Sequence, residues 1–228
     1  MAYNEFAYFY DEFNGEADYD ALYSQIHAKL EAHGIHDGIV ADLGCGTGEL
    51  TLMLTQAGYD MIGIDQSEEM LCVIRDKAEQ LGLSGRLLLL RQDLLKLDLY
   101  GTIRAAVSTF DTFNHIPDLD TAIANAGFFM EKGGVFLFDM NTPYKHQKVL
   151  GDTHLPLRKR MPPACGAPTI TPPTARWRSR WPLLITRPAS ISTRNSASIP
   201  MIWILFVHRW KSTALRWKAS VMAKPLAR

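Results

Sequence analysis

The first 150 residues predict an α/β domain, a parallel sheet with helices on both of its faces. Three observations carry this expectation. Short apolar, strand-like runs alternate with amphipathic helical stretches. The first run ends in a glycine-rich turn, "DLGCGTG" (42–48), that leads into a helix. The second ends in an acid, Asp65, followed at once by a helix start.

The elements follow in order. "DYDALYSQIHAKLEAH" (18–33) spaces Leu22, Ile26 and Leu30 as one helical face, and Gly34 stops it. "GIVADLG" is a buried strand, "TGELTLMLTQAG" a helix closed by Gly58, and "DMIGID" a second strand. "SEEMLCVIRDKAEQLG" begins with Ser67 as N-cap and two acids in its first turn, which suits the positive end of a helix. "RLLLLRQD" and "IRAAVST" are strands three and four. "LDTAIANAGFFMEKGG" is expected as a helix ending at Gly133 and Gly134, before a fifth strand, "VFLFDM".

Beyond about residue 150 this alternation stops. Residues 1–150 hold 10 Lys and Arg against 23 Asp and Glu, a net charge of −13, whereas residues 151–228 hold 14 against one, a net +13. Seven prolines fall between Pro156 and Pro182, and only "MIWILFV" (201–207) has the composition of a strand. Segments this rich in Pro, Ser and Arg rarely build a core. The chain therefore divides into a domain at 1–150 and a basic tail at 151–228, expected to be poorly ordered. Three dispersed cysteines suit a reducing compartment, and no run approaches a membrane span or a secretory leader. The expectation is a cytoplasmic protein without a disulfide framework or a metal cluster.

The chemistry concentrates at the ends of the predicted strands. Gly44 and Gly46 allow a sharp turn and close approach of backbone to a ligand, and the next helix adds its N-terminal amides. A dinucleotide fingerprint would place a third glycine where Glu49 stands; here Gly48 comes one position early. Asp65, about 20 residues beyond the glycines, is placed to accept two ribose hydroxyls from either class of nucleotide. Asp93 follows strand three, "STFDTFNHI" (108–116) follows strand four and "FLFDMNTPYKH" (136–146) follows strand five. All lie at the carboxyl edge, where open α/β sheets take ligands.

"DLGCGTG", "GID", "QDL" and "MEKGGVFLFD", in this order and spacing, resemble class I S-adenosylmethionine (SAM)-dependent methyltransferases of the small-molecule type, with their Rossmann-like sheet. The resemblance implies SAM as cofactor. It implies cofactor contacts from Asp42, Gly44, Cys45, Gly46, Asp65, Gln66, Met70, Asp93, Leu94 and Phe110, with Asp93 taking the adenine amino group. Asp111, His115 and Tyr144 are the candidates for removing a proton from an acceptor, should one need to be removed. The tyrosine-rich "AYNEFAYFYDEFN" resembles a lead-in that folds over the cofactor, and it reads equally as an amphipathic helix. The acceptor is expected to be a small molecule, since the acidic domain offers no basic nucleic-acid face.

In such proteins the region after strand five supplies a lid and the last sheet strands, which are not legible here. The genetic code suggests why. Read one base back, Met161–Pro162 and Trp181–Pro182 must give Ala; Met201–Ile202 and Trp203–Ile204 must give Asp. Trp210–Lys211 and Trp217–Lys218 must give Glu, and Met222–Ala223 must give Gly. Permitted choices elsewhere turn 157–186 into "EEEDAACVWRTDYHAADGTVEITLAFFYY", with a turn and alternating strand residues. A frameshift near residue 151 is thus expected to have replaced the lid and final strands, leaving strand five at the sheet edge and activity impaired. Two other readings compete: an NAD-type oxidoreductase, and a nucleic-acid-binding protein that works through the basic tail, whose "TARWRSRWPLL" (174–184) interleaves arginine with tryptophan.

Overall fold

The structure, a computed structural model, describes Tyr10 and residues 17–140, 201–211 and 214–224. Residues 1–140 with 203–222 form one compact unit. A second, 141–202 with 223–228, lies almost wholly outside the described residues. Helix α1 spans Tyr19–Ala32 and strand β1 Ile39–Leu43; α2 (Glu49–Gln56) leads to β2 (Asp60–Asp65), and α3 (Glu68–Gln80) to β3 (Leu87–Arg91). β4 covers Ile103–Ser108, α4 Leu119–Phe128 and β5 Met130–Met140; β6 (Met201–Lys211) and β7 (Ala214–Lys224) complete the series.

The sheet runs β3-β2-β1-β4-β5-β6-β7. The first five strands are parallel throughout: β1 pairs with β2 and β4, β2 with β3, and β4 with β5. The chain winds outward from β1 to β3 and then returns to the other side of β1 with β4. That reversal opens a crevice at the carboxyl ends of β1 and β4, and the α/β expectation stands.

Local chemistry explains the helix starts. Asp18, Ser67 and Asp118 each accept a backbone N–H from the first turn of α1, α3 and α4, and Glu68 and Glu69 place negative charge beside the α3 amides. Val40, Ala41 and Leu43 of β1 are buried between helical layers. On one side Leu52 of α2 packs with Leu71, Ile74 and Ala78 of α3. On the other, Phe113 stacks against Phe136 and Phe138 of β5 with ring centroids 5.3 and 5.0 Å apart.

Two expectations change. The helix expected through Gly134 stops at Phe128, and β5 begins at Met130, so "MEKGG" is strand. Met130 pairs with Ile103, and the register then shifts before Ala105 meets Val135. A bulge therefore absorbs the two glycines that resembled a helix stop. Strand five is also not the edge, because β6 lies beside it in the sheet order and β7 beyond. The apolar, β-branched and aromatic run "MIWILFV" favours a strand despite the proline-rich sequence before it. The expected disorder of 155–200 falls outside the described residues.

Gly48 shows how tightly α2 and α3 meet. It caps α2 with φ 84°, and a Cβ there would overlap the Ile74 side chain. Gly48→Ala should cost about 2–4 kcal/mol from left-handed strain and overpacking. Ile74→Val in the same chain should recover part of that loss, a coupling that urea melts of the two single variants and the double variant will measure.

Candidate functional site

The site is built where β1, β2 and β4 end side by side. Asp42 aligns with Gly63 of β2 and Val107 of β4, which brings the turn after Leu43, the acid after Ile64 and the segment after Ser108 to one edge. The glycine turn is bound to β2 through its backbone: Gly44 and Cys45 donate N–H bonds to the Ile64 carbonyl at 2.7 and 3.0 Å. Asp65 reinforces the link. Its Oδ2 accepts the Gly46 N–H at 3.0 Å and its Oδ1 the Ser67 N–H at 2.9 Å. A carboxylate has about four lone-pair positions, so Asp65 retains capacity for two hydroxyls from a ligand. Beside it, a Cβ built on Gly46 would meet no described residue within 4 Å. Among the described residues, the turn is therefore open beside the carboxylate.

Asp42 differs from the rest. It is only 2% exposed; Thr51 donates its hydroxyl to Oδ2 at 2.5 Å, and Oδ1 has no partner among the described residues. Burial drives its carboxyl up to about 7; the Thr51 hydrogen bond opposes this, and the neighbouring Asp65 charge adds to it. Cys45 points inward: a Cβ on Gly63 would lie 3.2 Å from its sulfur, and burial pushes its thiol well above the usual range.

The third strand contributes a second acidic point. Asp93 Oδ1 accepts the Leu95 N–H at 2.9 Å, which caps the short turn Leu94–Lys96, and receives the Gln66 amide at 3.4 Å. Gln66 and Asp93 are thus neighbours. Leu94 is buried, and its carbonyl accepts from Asn125 of α4 at 3.2 Å. Met70 lies half-buried in the first turn of α3, its N–H held by Ser67.

After β4 the backbone does something the sequence did not announce. Phe110 and Asp111, neither a glycine, have φ of 56° and 53°. The buried Asp139 at the end of β5 accepts the Asp111 N–H on both oxygens, at 3.2 and 3.0 Å. Phe110 meets the Tyr19 ring with centroids 5.3 Å apart. Thr112 lies over the glycine turn, since a Cβ on Gly44 would approach its methyl to 2.5 Å. Asp111 and the exposed His115 flank the short turn Thr112–His115 on this strap. Tyr144 and most of the tyrosine-rich lead-in lie outside the described residues.

Of the expected residues, the structure brings Gly44, Gly46, Asp65, Gln66, Asp93, Phe110 and Asp111 to one sheet edge. Asp139 was missed, although an acid closing an apolar strand, "VFLFD", is itself a signal of a buried polar contact. Thr51, which orients Asp42, was visible only as a helix residue. Among the described residues, no cluster of His, Cys, Asp or Glu is set to hold a metal, and no helix is long and apolar enough to cross a membrane.

Comparisons with known proteins agree with this geometry. Residues 40–134 match the methyltransferase-domain family. A protein of Geobacillus sp. (strain WCH70) that carries a methyltransferase name is 30% identical over 156 residues, 67% of this chain and 62% of its own. YqeM of Bacillus subtilis (strain 168), also named as a methyltransferase, is 32% identical over 157 residues, 67% of this chain and 61% of its own. The chain thus spans about three fifths of the length of these relatives. A crystal structure of a SAM-dependent methyltransferase from Clostridium acetobutylicum ATCC 824 superposes with a TM-score of 0.57 at 21% identity, over 99% of this chain and 81% of that one.

The buried Asp42 yields a prediction. Its carboxyl takes up a proton in the folded state at a higher pH than in the unfolded chain, so its contribution to stability is intact below about pH 4 and is lost as pH rises through about 7. Asp42→Asn should remove that slope, so the variant should gain on the parent chain steadily as pH rises from 4 to 8. Thermal melts of both chains from pH 4 to 8 check the sign. With the sheet order, the edge geometry and these matches together, residues 40–134 are similar to the methyltransferase-domain family, on a parallel α/β fold shared with a solved methyltransferase structure.

Proposed function

We propose that this chain binds SAM across the carboxyl edge and moves its methyl group to a small-molecule acceptor. The observation that carries the reading is the hydrogen bond from the Gly46 amide to Asp65, beside which no described residue lies within 4 Å of a Cβ built on Gly46. Asp65 then takes the ribose hydroxyls, the Gly44–Gly46 backbone lets the methionine side approach closely, and Asp93 with the Leu94 backbone receives the adenine. Gln66, Met70 and Phe110 close the walls around it, and Asp42 supports the turn from below.

Bound SAM supplies a methyl already activated by its sulfonium. The protein's residues have to bind, align and exclude water, and a base is needed only for an acceptor that carries a proton to lose. Asp111 and His115 stand on the strap at the mouth and are the described candidates for that proton; Tyr144 is the third candidate. The net charge of −13 over residues 1–150 disfavours polyanionic acceptors and suits a small neutral or cationic one.

Neither rival is favoured. A dinucleotide turn would want glycine where Glu49 pairs with Lys77. The nucleic-acid reading rests wholly on the basic tail. That tail is better explained by the shifted reading frame, in which four of the seven forced Met and Trp junctions become acids and permitted choices elsewhere give a strand pattern. Under this proposal the lid over the acceptor is lost and turnover is impaired while the cofactor edge survives.

Calorimetry tests the cofactor reading. S-adenosylhomocysteine should bind and NAD should give no heat; Asp65→Ala should weaken binding by about tenfold to a hundredfold, the scale of lost hydrogen bonds to a charged group. Salt-dependent RNA binding that disappears on removing 151–228 would instead support the tail reading. Sequencing the gene across codons 145–165 tests the frame: early stop codons in the shifted frame would end that explanation, and a frame-corrected chain should gain turnover.

A further inference from the structure

We infer that Asp139 is a positioning residue that locks the strap after β4 into the one backbone shape that seats Phe110 and Asp111 at the cofactor edge. The inference rests on reading that edge as the SAM site. It names a residue and a device to which the sequence motifs assign no role.

The argument begins with the strap's conformation. Two successive residues with Cβ atoms hold φ of 56° and 53°, a region that side-chain-bearing residues visit singly and at a cost. Such a pair persists when its surroundings over-determine it, and strained pairs cluster where a ligand must be met in one fixed geometry. The surroundings here are specific. Ser108 donates its hydroxyl to the Leu43 carbonyl at 2.6 Å, tying the end of β4 to the end of β1. Thr112 donates to the Thr109 carbonyl at 2.9 Å and lies against Gly44. Phe113, 2% exposed, completes a three-ring cluster with Phe136 and Phe138, whose own centroids lie 4.9 Å apart. These contacts pin the flanks of the strap but do not select the peptide orientation between Phe110 and Asp111.

Asp139 acts on that peptide. It is 3% exposed, and both of its oxygens face the Asp111 N–H, at 3.2 and 3.0 Å. A charge-assisted bond of this kind, sheltered from water, is stronger than a neutral one and is directional. Turning the peptide back to an ordinary right-handed or extended shape would swing the N–H away and cost the buried carboxylate the bond it makes through both oxygens. Asp139 therefore makes the relaxed strap the unfavourable one. The Phe110 ring, set against Tyr19 at 5.3 Å, is carried to the mouth by the same peptide. Asp139 is thus a positioning residue, acting through Phe110 and Asp111.

The test uses the full isotope-labelled chain. Amide exchange followed by NMR should show the Asp111 N–H protected in the parent chain, and Asp139→Ala should abolish that protection. By calorimetry Asp139→Ala should weaken S-adenosylhomocysteine about tenfold, and Asp139→Asn, which keeps a carbonyl oxygen as acceptor, should restore most of the affinity. A purely structural role would lower the melting temperature of both variants without this split between alanine and asparagine. If the alanine variant does not fold, Asp139→Asn still decides: Asp111 should exchange several-fold faster while the β4 amides stay unchanged. An Asp111 amide that exchanges freely in the parent chain overturns the inference, as does equal protection in the asparagine variant or undiminished ligand affinity in a folded alanine variant. Absence of any heat from S-adenosylhomocysteine in the parent chain would end the cofactor reading and with it this role.

Discussion

The Gly46 N–H bound to the Asp65 carboxylate is the contact on which the candidate site depends. Parallel strands place the ends of β1 and β2 side by side but do not hold the loops that leave them. Asp65 does so by accepting one amide from each loop, Gly46 of the turn after β1 and Ser67 at the cap of α3. The start of α3 and the glycine turn are therefore fixed relative to each other before any ligand arrives. A nucleotide meeting this edge would find its hydroxyl acceptor already oriented, which lowers the ordering cost of binding.

The second half of the edge is held in a different way. Between β1 and β4 the strap is packed with apolar rings, hooked by hydroxyls and set in a backbone shape that its residues do not favour. The turn after β1 meets its conformational needs with glycines, whereas the strap meets its own through neighbours. One side is permissive and the other constrained, and the opening among the described residues at Gly46 lies on the permissive side. The thiol and the carboxyl beneath the turn, Cys45 and Asp42, are both driven towards their neutral forms by burial. The floor of the site is therefore less charged than its sequence suggests.

What the sequence made legible was whatever local chemistry dictates. β2 begins and ends where "DMIGID" does, because a buried parallel strand is a continuous apolar run closed by an acid. Ser67 marked its helix through capping, which depends on near neighbours alone, and Asp18 and Asp118 cap theirs in the same way. The β5 start was hidden because glycines can serve a bulge as well as a helix stop, and only the pairing of Met130 with Ile103 decides between them. Asp139 escaped for a similar reason: its partner lies 28 residues earlier, on another strand's exit. Left-handed φ at Phe110 and Asp111 has no compositional mark at all. β6 and β7 were obscured by the proline-rich sequence before them, although "MIWILFV" carried the strand signal for one of the two.

The position of Gly48 sets a boundary on what this scaffold can become. It performs the close helix packing that a third glycine performs in dinucleotide turns, but one residue earlier, with Ile74 filling the gap and Glu49 already engaged with Lys77. The two nucleotide classes are thus separated here by backbone phase, since the helix begins at a different point in the turn. Exchanging side chains leaves that phase unchanged. A chain of this design could change its cofactor class by gaining or losing a residue in the turn, a step that would also rotate α2 and unseat Leu52 from the α3 face. Cofactor identity and helix packing are therefore inherited together.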